Sequence, residues 1–153
     1  MDLAVTTEHL HPSSEACLGM LQWLHERETV NRVLEIGCGN GILSAVAASI
    51  WHAKVLSVDI SQKAVDDARK NIEDHKLGHL VTIERSDGFS YDGILQQSPY
   101  DLIICNVLAE LQLRLARDIK KHCKSNGYVL IAGILAWKAA ETSRAYKNLQ
   151  FEV

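Results

Sequence analysis

The sequence predicts a doubly wound α/β domain, a mainly parallel sheet with helices on both faces, and three observations predict it. Short runs rich in β-branched residues alternate with longer segments of helical spacing. A glycine-rich turn joins the first of these runs to the helix after it, and acidic or amide residues recur where later runs end. The chain has 153 residues, 16 Lys and Arg against 19 Asp and Glu for a net charge of −3, and 47% hydrophobic residues. That is the balance of a single soluble domain, here residues 1–153, and at this size roughly two thirds of the unfolded chain's surface is buried on folding.

The elements follow in order. A leading helix is expected from about residue 13 to 27, after Pro12, so that residues 1–30 form an N-terminal segment and helix and residues 31–153 the α/β core. Val33-Leu34-Glu35-Ile36 is the first buried strand, and residues 42–49 the next helix. Val55-Leu56-Ser57-Val58 is the second strand, followed by a helix capped by Ser61 with Val65, Ala68 and Ile72 on its apolar face. Leu80-Val81-Thr82-Ile83 and Leu102-Ile103-Ile104-Cys105 are the third and fourth strands. A helix with Leu108, Leu111, Leu115 and Ile119 as its stripe ends in Lys120, Lys121, His122 and Lys124, cations that offset the helix dipole. Asn126-Gly127 is read as its left-handed stop, and Tyr128-Val129-Leu130-Ile131 as the fifth strand.

Composition removes several classes. No apolar run approaches the roughly 20 residues of a membrane span, and the N-terminus has no basic region ahead of a greasy stretch. Cys17, Cys38, Cys105 and Cys123 form no C-x-x-C pair and show no zinc spacing, so they read as reduced thiols of a cytoplasmic protein with no metal. The slightly acidic balance lacks the clustered Lys and Arg of a general nucleic-acid binder. His9, His11, His25, His52, His75, His79 and His122 are scattered and read mostly as surface or helix-end residues, with His9 and His11 as alternative bases.

In such a sheet, ligands bind beyond the carboxyl ends of the strands. The first strand runs into Glu35-Ile36-Gly37-Cys38-Gly39-Asn40-Gly41, where glycines allow a tight turn against a ligand and the following helix offers free N–H groups. The spacing is G-x-G-x-G, with Ile42 where a dinucleotide fingerprint has its third glycine, which disfavours NAD. Asp59 ends the second strand, where a carboxylate accepts hydrogen bonds from both ribose hydroxyls, so a nucleoside is indicated. Asp87, after the third strand, suits a purine amine or simply an Asp-Gly turn. Asn106 ends the fourth strand beside the topological switch point and is the candidate reaction centre.

With these residues in this order, the chain resembles a class I S-adenosylmethionine (SAM) methyltransferase, a Rossmann-like fold. More narrowly it resembles the catalytic domain of the PrmA type, which methylates amino groups of a large-subunit ribosomal protein. Three motifs carry the narrower likeness: His11-Pro12-Ser13-Ser14, Asn106-Val107-Leu108-Ala109 and Ala132-Gly133-Ile134-Leu135-Ala136. The resemblance implies that SAM is the cofactor, with S-adenosylhomocysteine as product. It implies that Gly37, Gly39 and Gly41 seat the methionine part and that Glu35 holds the ammonium directly or through water. Asp59 with Ile60, and Asp87, would read the nucleoside, Ser14 would contact the cofactor, and Asn106 would orient the acceptor. The acceptor is then an amino group of a protein; a small-molecule methyltransferase and a catalytically degenerate SAM-binding protein are the alternatives. Asn106-Val107-Leu108-Ala109 lacks the prolines of Asn-Pro-Pro-Tyr enzymes, which rank lower.

Two departures from the family stand out. Thr7-Glu8-His9-Leu10 replaces a Gly-Thr-Gly-Thr segment that closes over the cofactor. The fold also usually ends in a sixth and a seventh strand, and residues 149–153 are all that remains to supply one. An unpaired sheet edge should result, which leaves a clipped chain or a homodimer across that edge as the two readings.

Overall fold

The computed structural model describes residues 12–153. The elements in chain order are α1 (Pro12–His25), β1 (Arg32–Ile36), α2 (Ile42–Trp51), β2 (Lys54–Asp59), α3 (Gln62–Asp74), β3 (Val81–Arg85), α4 (Asp92–Gln97), β4 (Tyr100–Asn106), α5 (Ala109–His122), β5 (Cys123–Ala132) and α6 (Ala139–Asn148), with a 3-10 turn at Ala136–Lys138. The strands form one sheet in the order β3-β2-β1-β4-β5, and every neighbouring pair is parallel. The order reverses direction from β1, so the crevice at the carboxyl ends of β1 and β4 is the switch point.

Alternation along each strand divides the core in two. Val33, Val55, Val81, Leu102 and Ile104 point to the face covered by α1, α2 and α3, packing on Leu21, Leu43, Val65, Ala68 and Ile72. Leu34, Ile36, Leu56, Val58 and Ile103 point to the other face, against Ile94, Ala116, Ile119 and Tyr146. Both faces are apolar because both carry helices, which is why the strand runs are continuous rather than alternating. Ser61 caps α3 as expected, its Oγ accepting from Ala64 N at 3.3 Å.

Three expectations are corrected. Asn126-Gly127 does not stop α5; the helix ends at His122, and Gly127 lies within β5. The register there jumps, with Tyr100 opposite Cys123 but Leu102 opposite Tyr128, so the intervening residues bulge outward. Glycine is needed at 127 for close approach instead: a Cβ would stand 3.0 Å from the carbonyl oxygens of Asp101 and Tyr100 and from Cys123 Sγ. The buried face of α5 is Ala109, Gln112, Ala116, Ile119 and His122, rotated from the expected leucine stripe, and Leu108 precedes the helix and is exposed. His122 closes α5 as a helix-end residue, buried and stacked on Phe89 at 5.1 Å. Residues 149–153 form a turn and a tail instead of a strand, because Leu149 N and Phe151 N both donate to Tyr146 O and fold the chain back over α6.

β5 is therefore an edge strand of the sheet. A groove of about 770 Å³ runs along it, between its outer side, α6 and the tail. No helix among the described residues is long and apolar enough to cross a membrane. Residues 7–10, with His9, and His11 lie outside the described residues.

Candidate functional site

The site is assembled where β1, β2, β3 and β4 end. Gly37, Gly39 and Gly41 all take positive φ, 76°, 52° and 77°, so the turn after β1 needs glycine three times in five residues. The turn hangs from β2, with Gly37 N and Cys38 N donating to Val58 O at 2.8 and 3.1 Å. A Cβ on Gly37 would run into Val107 Cγ1, whereas at Gly39 it would meet nothing within 4 Å. The turn is thus closed toward β4 and open above Gly39. Gly41 is the N-cap of α2, Asn40 Oδ1 accepts from Ile42 N at 3.2 Å, and the first turn of α2 carries no acidic residue. The partial positive charge of the helix start lies at the end of this turn.

Asp59 stands across from the turn. Its Oδ2 accepts from Gly39 N at 3.0 Å and its Oδ1 from Ser61 N at 2.9 Å. It is half-buried, and no cation pairs with it among the described residues. Each carboxylate oxygen has a second lone-pair direction, so Asp59 fixes the turn and still offers acceptors. Ile60, next to it, is an exposed apolar side chain, and its carbonyl accepts from Arg85 Nε at 3.1 Å. Ser86 N donates to Asp59 O at 2.9 Å, joining the ends of β2 and β3, and Asp87 follows as an exposed carboxylate. Ser86 Oγ builds the Asp-Gly turn, donating to Gly88 O and accepting from Tyr91 N.

Asn106 closes the other side. Its Nδ2 donates to Ser14 Oγ at 3.3 Å, which brings α1 to the end of β4. Gly133, at φ 78°, approaches closely: a Cβ there would stand 3.3 Å from Asn106 Oδ1 and 3.0 Å from Val107 O. Leu108, Leu135 and Trp137, 74%, 61% and 71% exposed, follow the ends of β4 and β5 as an apolar rim.

Glu35 lies beneath the turn, not within it. It is 1% exposed, Ser44 Oγ donates to its Oε2, and the same hydroxyl bonds Ser57 Oγ, so three elements share one buried polar network. Burial pushes its carboxyl up to about 8, the bond from Ser44 acting in the opposite direction. Direct contact between Glu35 and a ligand's ammonium does not fit this placement. Cys38, inside the turn, is buried, and burial with the nearby Glu35 drives its thiol far above the ordinary range. It is packed rather than reactive.

The structure thus brings together Ser14 with Asn106, and Gly39 with Asp59. Sequence reasoning passed over Gln112, a buried amide beneath Asn106, because it falls between leucines. Its signal was a lone polar residue on the true inward face with Ala109 and Ala116. Among the described residues no group of three His, Cys, Asp or Glu side chains gathers as a metal site.

Comparison with known proteins gives this arrangement its context. The sequence model of the ribosomal protein L11 methyltransferase (PrmA) family matches residues 4–153, and the chain belongs to that family. A ribosomal protein L11 methyltransferase of Exiguobacterium sp. is 31% identical over 144 residues, 94% of this chain and 44% of that protein. One of Dictyoglomus turgidum is 37% identical over 128 residues, 84% of this chain and 40% of that protein. The chain therefore spans about half the length of the curated relatives it matches. Among solved structures, a ribosomal protein L11 methylase from Lactobacillus delbrueckii subsp. bulgaricus superposes with a TM-score of 0.77 at 23% identity, over 95% of this chain and 72% of that one. A precorrin-6y C5,15-methyltransferase from Geobacter metallireducens gives 0.77 at 13% identity, over 96% and 77%. At those identities the structural likeness speaks for the fold.

Proposed function

We propose that this member of the ribosomal protein L11 methyltransferase family transfers a methyl group from SAM to an amino group of a protein, leaving S-adenosylhomocysteine. The observation that carries the reading is the convergence of three groups at neighbouring strand ends. These are the glycine turn tied to Asp59, the start of α2, and Asn106 held by Ser14. The donor set fits the cofactor: the opening above Gly39 has no atom within 4 Å of a Cβ position, and Asp59 keeps acceptor capacity for two hydroxyls.

SAM supplies a methyl group on a sulfonium that is its own leaving group, so the chain's task is positioning, worth roughly 7–11 kcal/mol for well-oriented pairs. Gly37, Gly39 and Gly41 let the backbone lie against the methionine portion. Asp59 would hold the ribose, and Ile60 and Asp87 would contact the base, the Asp87 carboxylate taking its exocyclic amine. Glu35 acts from below, through Ser44 and Ser57, by fixing β1, α2 and β2 around the turn. Ser14 holds the Asn106 amide nitrogen, so that Asn106 Oδ1 accepts from the incoming amine. A lysine must arrive neutral, which costs roughly 4–5 kcal/mol at pH 7, so that the nitrogen lone pair is free to take the methyl group.

The apolar rim of Leu108, Leu135 and Trp137 supports a macromolecular acceptor over an enclosed metabolite, since exposed apolar side chains beside a cleft suit another protein's surface. Ribosomal protein L11, named for the relatives, is the acceptor to try first. The free edge of β5 supports pairing with a second copy, a dimer that gel filtration giving only monomer would remove. Unpaired thiols suit a cytoplasmic setting. The direct test is transfer of label from methyl-labelled SAM to purified ribosomal protein L11: transfer is expected, and should fall about a hundredfold or more in Asn106→Ala. No transfer, or transfer untouched in that variant, would count against the reading.

A further inference from the structure

The start of α5 carries a buried amide whose bonds all go to one place. Gln112 has 0% exposure. Its Nε2 donates to Val107 O at 2.5 Å and to Ala132 O, with Cys105 O at 3.5 Å. Cys105 and Val107 are the two neighbours of Asn106 in the chain, and Ala132 is the last residue of β5, opposite Asn106 in the sheet register. The amide therefore grips the backbone on both sides of the proposed acceptor-orienting residue and ties it to the adjoining strand.

The side chain is not there for its own satisfaction. Its Oε1 is buried without a hydrogen-bond partner among the described residues, which an aliphatic residue of the same size would avoid. The rest of that helix face is apolar at Ala109, Ala116 and Ile119, with His122 at its far end. From the other side Gly133 closes on the same carbonyl, with a Cβ position 3.0 Å from Val107 O. The Val107 carbonyl is thereby held between the Gln112 amide and the Gly133 backbone, and the Asn106 side chain leaves the strand at the point so fixed.

We infer that Gln112 is a positioning residue for methyl transfer: by holding Val107 and Ala132 it sets the direction from which Asn106 Oδ1 meets the acceptor amine. This rests on the function proposed above. Gln112 touches neither acceptor nor cofactor, being wholly enclosed, and it lies on the β4 and β5 side of the site, away from Gly39 and Asp59. Its loss should act on turnover and leave cofactor affinity in place.

Two variants separate this from a packing role. Gln112→Met keeps length and approximate volume while removing the donors and the unpartnered acceptor, and Gln112→Leu does the same with a different shape. Three readouts apply: SAM affinity by calorimetry, transfer from labelled SAM to ribosomal protein L11, and the Asn106 side-chain amide resonances in nitrogen-15 spectra. Transfer at saturating SAM should fall about tenfold or more, SAM affinity should stay within about twofold, and the Asn106 resonances should shift. A folded variant with native transfer and unmoved Asn106 resonances would overturn the inference. So would a parallel loss of SAM affinity and turnover. The native chain offers a check that no variant can spoil, because the Gln112 amide protons should exchange with solvent far more slowly than those of exposed Gln62; equal rates would also overturn it. If the native chain binds no SAM, the methyl-transfer reading falls by itself, and the Asn106 resonances still decide what Gln112 does.

Discussion

Asp59 and Asp101 stand at opposite ends of the same sheet and are used in opposite ways. Asp101, at the start of β4, is ion-paired: its Oδ2 accepts from Asn31 N and Arg32 N, both at 3.0 Å, and its Oδ1 from Lys124 Nζ at 2.9 Å. Asp59, at the end of β2, accepts from two backbone N–H groups and has no cation beside it among the described residues. The first carboxylate joins β1, β4 and the bulged start of β5, and its charge is met by Lys124. The second fixes a turn and keeps capacity in reserve at the strand ends where ligands bind. A carboxylate's availability, rather than its presence, marks the functional end of the sheet. Glu35 is a third case, enclosed and bonded through Ser44 rather than to a cation.

The largest expected effect comes from Glu35. Its folded-state pKa is raised, mainly by burial, from 4.5 to about 8. The folded chain therefore holds a proton that the unfolded chain has released between those values. The resulting stability is fully present below about pH 4.5 and is lost as pH rises through about 8, by on the order of 3–5 kcal/mol. Glu35→Gln should flatten that decline in thermal melts taken across the range; an unchanged slope would assign the decline to other groups.

Asp59→Ala comes next. Hydrogen bonds to a charged acceptor are worth roughly 1.5–3 kcal/mol each, and Asp59 is assigned two, so SAM affinity should fall by about a hundredfold or more in calorimetric titration. Asp101→Asn is the matched opposite. It should cost about 1–3 kcal/mol of stability in urea melts and leave SAM affinity unchanged. The Asp101 carboxyl is held below its usual value because bonds from Lys124, Asn31 and Arg32 outweigh a burial that acts to raise it. Its stabilising contribution is present above pH 3.8 and is lost as pH falls through the lower folded value, so it appears only in acid. Smallest is Lys124→Ala, which removes the exposed partner of that ion pair and should cost under about 1 kcal/mol. A larger loss would mean that the bulge in β5, and not the backbone bonds to β1, carries Asp101's role.

Legibility in the sequence tracks the range of the bonds. The glycine turn, Asp59 and Ser61 lie within one strand-turn-helix unit, and their residue types and spacing announce them. The acceptor side is built from distant contacts: Asn106 meets Ser14 across 92 positions, and Gln112 reaches Ala132 across 20. Asn106 was readable from its place at a strand end, but no periodicity could reveal the amide beneath it. The leucines of α5 misled for a related reason. Leu111 and Leu115 are half-buried flanks, while small Ala109 and Ala116 let the helix sit close to the sheet. Gly127 carries the sequence signature of a helix stop and serves a β-bulge, since a left-handed turn and a close backbone approach both select glycine.

One titration tests the central claim, that the carboxylate without a paired cation marks the binding end and the ion-paired one does not. SAM is titrated into the native chain, Asp59→Asn and Asp101→Asn by calorimetry at one pH. One-to-one binding by the native chain and Asp101→Asn, with affinity lost in Asp59→Asn, is the predicted result. Equal affinity in all three, or none in the native chain, would contradict it.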